Sequence, residues 1–268
     1  MNSASASSDK IIATGRIFFS LGLLGIALQF FYFRQFIPVV VPWWPSWIPG
    51  RLIWIYLIGA ILFVIGAMIL TGKMARWAAT ILGGLFLLWV LFLDIPGYSM
   101  GPRATHIGAW TNAFKALAFC GSAFVVARTL PDTASGSGHK RSFSFALLEK
   151  LMPLGMYPLA IMVIVFGTDH FLYVPFVSSL VPAWIPWHVF WTYFAGTALI
   201  ASGLGMIFRV KARLAATLLG AMIFAWVIVL HIPRAIADPY GAIGNEWTSV
   251  FEALAFSGIA FILGRILR

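Results

Sequence analysis

Residues 51–71 read RLIWIYLIGAILFVIGAMILT, with a single charged residue, Arg51, at the start. The run does not alternate polar with apolar, so it offers no face to water. It is long enough to cross a hydrocarbon core, which takes roughly 20 helical residues. Similar runs lie on either side of it, at about 15–33, 75–95, 109–130, 154–172, 188–208, 212–232 and 246–267. A transmembrane barrel would need strands of alternating character, whereas a continuously apolar segment satisfies its backbone in lipid only as a helix. The expected fold class is therefore all-α, a polytopic membrane protein with eight transmembrane helices. Composition agrees: 61% of residues are hydrophobic and 10% charged, with mean hydropathy +0.95, against about a quarter charged in soluble domains.

The segment just before this run identifies a repeat. Ser46-Trp47-Ile48-Pro49 recurs as Ala183-Trp184-Ile185-Pro186, a shift of 137 (184 − 47), and the same shift holds without a gap to the C-terminus. Trp54 meets Trp191, Tyr56 meets Tyr193, Ala75-Arg76 meets Ala212-Arg213, Ile95-Pro96 meets Ile232-Pro233, and Ala116-Leu117-Ala118-Phe119 meets Ala253-Leu254-Ala255-Phe256. Roughly a third or more of positions 38–130 are identical to their counterparts. Two units of four spans follow, residues 1–130 and 150–268, joined by a cytoplasmic linker at 131–149 that is rich in Ser, Gly and Thr. An even span number makes the repeats parallel rather than inverted.

Charge placement sets the expected topology. Thirteen of the eighteen Lys and Arg residues lie at the N-terminus, in the 72–76 and 209–213 turns, in the segment 128–150 that contains the linker, or at Arg265 and Arg268. The positive-inside rule makes those segments, and both termini, cytoplasmic. Arg34, Arg51, Arg103, Lys115 and Arg234 remain for the other side, along with five of the eight acidic residues and four of the five histidines. The formal charge of +10 is thus explained by anchoring to anionic lipid, and no nucleic acid is expected as a partner. The first span is too long for a signal h-region and has no cleavage site behind it, so an uncleaved signal anchor is expected. Cys120 is the single cysteine and lies within a span, which leaves no dithiol or internal disulfide.

Repeated glycines (Gly59/Gly196, Gly66/Gly203, Gly83/Gly220, Gly121/Gly258) are expected where helix backbones approach closely. The connections Pro38–Pro49 and Pro175–Pro186 are too poor in apolar residues to cross. They are expected to lie in the interface, with Trp43, Trp44, Trp47, Trp184 and Trp187 as an aromatic belt.

Ionisable groups within spans are costly and point to function or pairing. At the shift of 137, Asp94 meets His231 and Lys115 meets Glu252, so each unit carries one complementary couple, Asp94 with Lys115 and His231 with Glu252. A structural ion pair is expected of Asp94 and Lys115. In the second unit Asp169, His170 and His188 stand where the same shift puts Tyr32, Phe33 and Arg51. Asp169, His170, His188, His231, Arg234 and Glu252 are therefore the candidates for a ligand pocket or proton relay. No tight His or Cys spacing supports a metal, and none is expected.

The second unit resembles the DoxX-like family of small four-span bacterial membrane proteins in Gly167-Thr-Asp-His170-Phe171, Val181-Pro-Ala-Trp-Ile-Pro186, Tyr193 followed by Gly196, Ala212-Arg213-Leu-Ala-Ala216, and His231-Ile-Pro233. The resemblance implies a bacterial cytoplasmic (inner) membrane location. It also implies links to quinone-dependent thiosulfate oxidation, to oxidoreductase complexes, or, in distant eukaryotic relatives, to cargo export. No cofactor motif is evident, and quinone is the one the resemblance admits. The function expected is a non-enzymatic component that binds a small ligand or a partner subunit in the second unit. A quinone-linked oxidoreductase subunit is the alternative. Parallel repeats and few mid-membrane charges disfavour a transporter, and no hydrolase elbow or phosphate loop is present.

Overall fold

The computed structural model describes residues 3–101, 104–131 and 143–267; Arg103, Arg268 and residues 132–142 of the expected linker lie outside them. Regular structure among the described residues is helical throughout. In chain order the helices are α1 (Ser3–Phe33), α2 (Arg51–Thr71), α3 (Ala75–Trp89), α4 (Ile95–Ser99), α5 (Thr111–Arg128), α6 (Phe143–Leu151), α7 (Met156–Leu172), α8 (Val174–Leu180), α9 (His188–Ile207), α10 (Ala212–Trp226), α11 (Ile232–Ala237) and α12 (Gly241–Ile266). Seven helical stretches are each long and apolar enough to cross a membrane, and an eighth crossing is formed if Phe145–Leu154 and Met156–Leu172, bent by 50°, count as one. The chain is an integral membrane protein. Leu52, Ile53, Val64, Phe92 and Leu218 are exposed on its flanks, as surfaces in contact with lipid require.

Prolines shape two spans in the same way. Pro96 and Pro233 lack the N–H that an α-helix needs, and the turns before them widen to π-helix at Val90–Asp94 and Val227–His231, with Ile95 N–H donating to Val90 O and Ile232 N–H to Val227 O. The spans then continue, to Ser99 and Ala237, instead of ending near residues 95 and 232. Each π turn ends on an ionisable residue, Asp94 or His231. The bend before α7 has a similar origin, since Pro153 occupies a 3₁₀ turn at Met152–Leu154.

The spans pack in a ring that follows chain order: α1 on α2, α2 on α3, α3 on α5, α5 on α7, α7 on α9, α9 on α10, α10 on α12, and α12 back on α1. Helices α5 and α12 also meet across the middle, with the Phe119 and Phe256 rings 4.7 Å apart. Their spans are 61% and 67% buried, against 22% for Ala212–Ala237. Glycine permits the tightest of these contacts. A Cβ on Gly258 would overlap the backbone carbonyl of Gly15, and one on Gly121 that of Gly155. With Gly15 against Gly258 and Gln29 against Thr248, α1 runs antiparallel to α12, so the start of α1 and the end of α12 lie at one end of the bundle. There Arg76 donates to the Ala127 and Leu130 carbonyls and pairs with Glu149 at 3.0 Å, and Arg213 donates to Gly264 O.

The connection after α1 departs from the interfacial position expected of it. Phe36, Ile37, Val39, Val40 and Val41 are all buried, wedged into the bundle. Trp43, Trp47, Trp184 and Trp187 are exposed, while Trp44 is partly buried and stacks on Phe36 at 4.7 Å. The wedge reaches the π turn: Trp43 Nε1 donates to Leu93 O at 3.0 Å, across a Gly97 whose missing side chain leaves room for the indole.

Gly258→Leu is expected to destabilise the protein by about 1–3 kcal/mol, because the atom it would strike belongs to backbone that cannot swing aside. Leu218→Val on the lipid face should change little, with unfolding by sodium dodecyl sulfate in mixed micelles as the measurement.

Candidate functional site

A cavity of about 510 Å³ lies among α5, α7, α8, α9, α10 and α12. This is the size of small-molecule sites. Met162, Val163, Leu199, Met222, Ile223 and Phe256 form its apolar wall, and Phe166, Trp191 and Trp226 add aromatic faces. Its polar groups come from Thr111 and Lys115 on α5, Asp169 and His170 on α7, His231 and Arg234 around the second π turn, and Asn245, Glu246, Ser249 and Glu252 on α12.

Lys115 Nζ stands 2.8 Å from Glu252 Oε2, with the two side chains 19% and 5% exposed. The same ammonium lies 5.9 Å from the centre of the Phe166 ring. One turn along α7, His170 Nδ1 is 2.7 Å from Phe166 O. A carbonyl only accepts, so Nδ1 carries the hydrogen, and in the neutral ring Nε2 is left as an acceptor. Arg234 holds Glu246 with two hydrogen bonds, 2.9 and 2.6 Å, at a more exposed position. Two buried oxygens, Asp169 Oδ1 and Glu252 Oε1, have no hydrogen-bond partner among the described residues.

Of the residues singled out in the sequence, Asp169, His170, His231, Arg234 and Glu252 line this one cavity, and His188, at the first turn of α9, does not. The couples within each unit are corrected. Lys115 pairs with Glu252, joining α5 to α12, and Asp94 is buried with neither carboxylate oxygen hydrogen-bonded among the described residues. The two central helices place Lys115 and Glu252 face to face, a proximity that a comparison of spans within one unit misses. Glu246 was also missed, although its spacing of twelve from Arg234 across a short turn was the available signal.

The register of the first span is corrected as well. Gly59 faces Phe30 and Phe31 as Gly196 faces His170 and Phe171; Gly66 faces Leu24 as Gly203 faces Ile164; Gly258 faces Gly15 and Phe18 as Gly121 faces Gly155 and Pro158. These contacts shift α1 against α7 by 140 (155 − 15), not 137. Phe30 therefore stands in the place of His170, and Gln29, not Tyr32, in that of Asp169. Gln29 is fully engaged: its amide donates to Gly244 O at 2.9 Å and its oxygen accepts from Thr248 at 3.0 Å.

A second, apolar void of about 40 Å³ is lined by Ile58, Ile61, Leu62, Leu82, Leu85, Phe86 and Trp89 together with Val40. Displaced by 137, Ile58, Leu62, Leu85, Phe86 and Trp89 become Ala195, Leu199, Met222, Ile223 and Trp226 on the wall of the large cavity, while the counterparts of Ile61 and Leu82 lie outside it. Val40 belongs to the buried wedge, whereas in the second half the chain after α7 forms α8, with Phe176 exposed. The same helical frame is thus filled on one side and open on the other.

No family model, curated protein or solved structure matches the chain. Among the described residues, no group of three or more His, Cys, Asp or Glu side chains is placed to hold a metal ion.

Lys115→Met or Glu252→Gln alone is expected to destabilise the protein by about 3 kcal/mol, the low end for breaking a buried pair because Lys115 keeps some exposure. The double substitution should recover most of that loss in thermal unfolding.

Proposed function

We propose that this protein binds a small amphipathic molecule in the cavity between α5, α7, α9, α10 and α12, without performing chemistry on it. The observation that carries the reading is the cavity itself: about 510 Å³ of largely apolar wall with Lys115–Glu252, Asp169, His170 and His231 on it. A site that served only to close a helix bundle would be filled, as the 40 Å³ void on the other side nearly is. Its bearer is a duplicated, DoxX-like protein of two parallel four-helix units. Supporting the duplication are the shift of 137, the π turns at equivalent positions, and the like contacts of Gly83 with Phe124 and Gly220 with Phe261. A bacterial inner membrane with both termini cytoplasmic fits the distribution of Lys and Arg.

A quinone-linked oxidoreductase subunit is the second reading, favoured by two histidines and a carboxylate on one cavity wall, groups able to exchange protons with a reduced ring. Decylubiquinol oxidation that requires His170 and His231 would support it over simple binding.

The test of the cavity uses protein in lipid nanodiscs and four probes that share an apolar chain: dodecylamine, dodecanol, laurate and decylubiquinone. At least one is expected to quench Trp fluorescence saturably, and Ala195→Phe, which fills the cavity, should abolish the change. If no probe gives saturable quenching in the wild type beyond that of protein-free nanodiscs, the reading is wrong.

A further inference from the structure

The hydrogen-bonding capacity left over in the cavity decides what its ligand must bring. Both cationic groups are already engaged, Lys115 by Glu252 and Arg234 by Glu246. Three carboxylates, Asp169, Glu246 and Glu252, face those two cations, so the ionised side chains leave an excess of one negative charge. Asp169, only 9% exposed, has no cationic partner among the described residues, and its Oδ1 accepts no hydrogen bond. Glu252, 4% exposed, spends one oxygen on Lys115 and leaves Oε1 unfilled. His170 presents a third acceptor at Nε2, because Nδ1–H is committed to Phe166 O. Lys115 lies against the Phe166 ring, and Asp169 and His170 follow Phe166 by three and four residues on α7, lining the same cavity.

A buried acceptor without a donor keeps the desolvation penalty of its burial uncompensated. A carboxylate head group offers no donor and adds a second like charge. A quinone offers only carbonyl acceptors. A protonated amine supplies up to three N–H donors and the missing positive charge, and Phe166, Trp191 and Trp226 on the same wall are faces that attract a cation.

We propose that the cavity recognises an amphipathic amine, its ammonium group held by Asp169 and the free oxygen of Glu252 and its apolar body against α9 and α10. The proposal rests on the cavity reading above and names its ligand class.

The same nanodisc titrations separate the two. Dodecylamine is expected to bind the wild type about tenfold more tightly than dodecanol, the value of one charge-assisted hydrogen bond at the lower end of its range. In Asp169→Asn that preference should shrink to about twofold or less while dodecanol binding is retained, which also shows that the variant is folded. If Asp169→Asn does not fold, Asp169→Ala, which removes the same unpartnered carboxylate, serves for the same comparison. Dodecanol, laurate or decylubiquinone binding as tightly as the amine, at a site closed by Ala195→Phe, overturns the amine assignment and leaves the cavity reading intact. An undiminished amine preference in a folded variant overturns it as well. No saturable binding by any probe removes both.

Discussion

Burying a charge in an apolar bundle is costly unless it meets its opposite, and in this protein one such pair ties the two central helices together. Lys115 on α5 and Glu252 on α12 are 2.8 Å apart, with Glu252 almost wholly withdrawn from solvent. Separated, either would cost several kcal/mol of desolvation with no return. The pair therefore requires α5 and α12 to stay in contact on the cavity side, and the remaining spans are arranged around them. Small residues make that arrangement tight: Gly121 against Gly155 and Gly258 against Gly15 bring α7 and α1 backbone to backbone with α5 and α12. Neither α5 nor α12 packs chiefly on the first span of its own half, so neither half makes a separate bundle.

On this frame the two sides diverge through the loops. The chain after α1 turns inward: Ile37, Val39, Val40 and Val41 are buried in the core, and Val40 meets α2 and α3 at the small void. Gly97 makes room for Trp43, whose indole satisfies the Leu93 carbonyl near the proline. On the other side Arg234 stands at the position 137 beyond Gly97, the chain after α7 coils into α8, and Ala195 replaces Ile58. Apolar volume is missing there and polar groups line what remains. A large void in a close-packed interior loses dispersion contacts on every wall, and this supports the proposed binding site over a packing flaw.

Much of the fold was legible because its signals are local. An apolar run of about 20 residues has one solution in lipid, and the repeated glycines mark close approaches, whereas the π turns before Pro96 and Pro233 were not foreseen. Of the site, the residue types were legible and the partnerships were not. Asp94 and Lys115 lie on neighbouring spans of one half and look complementary, yet Lys115 points across to α12 and Asp94 has no hydrogen-bond partner among the described residues. The register of the first span was equally hidden: few residues are shared between α1 and α7, so the 137 shift was carried through a connection in which it changes by three.

What the amino-acid sequence determined by itself is membrane residence, helical class, span positions and the internal likeness of the two halves. These follow from transfer free energies and backbone hydrogen bonding, which act residue by residue along the chain. Only the tertiary structure decided that Lys115 meets Glu252, that residues 36–41 fill one side, and that a cavity opens on the other. Those outcomes depend on which helix faces which and on how much volume each loop delivers, quantities set by packing among distant segments.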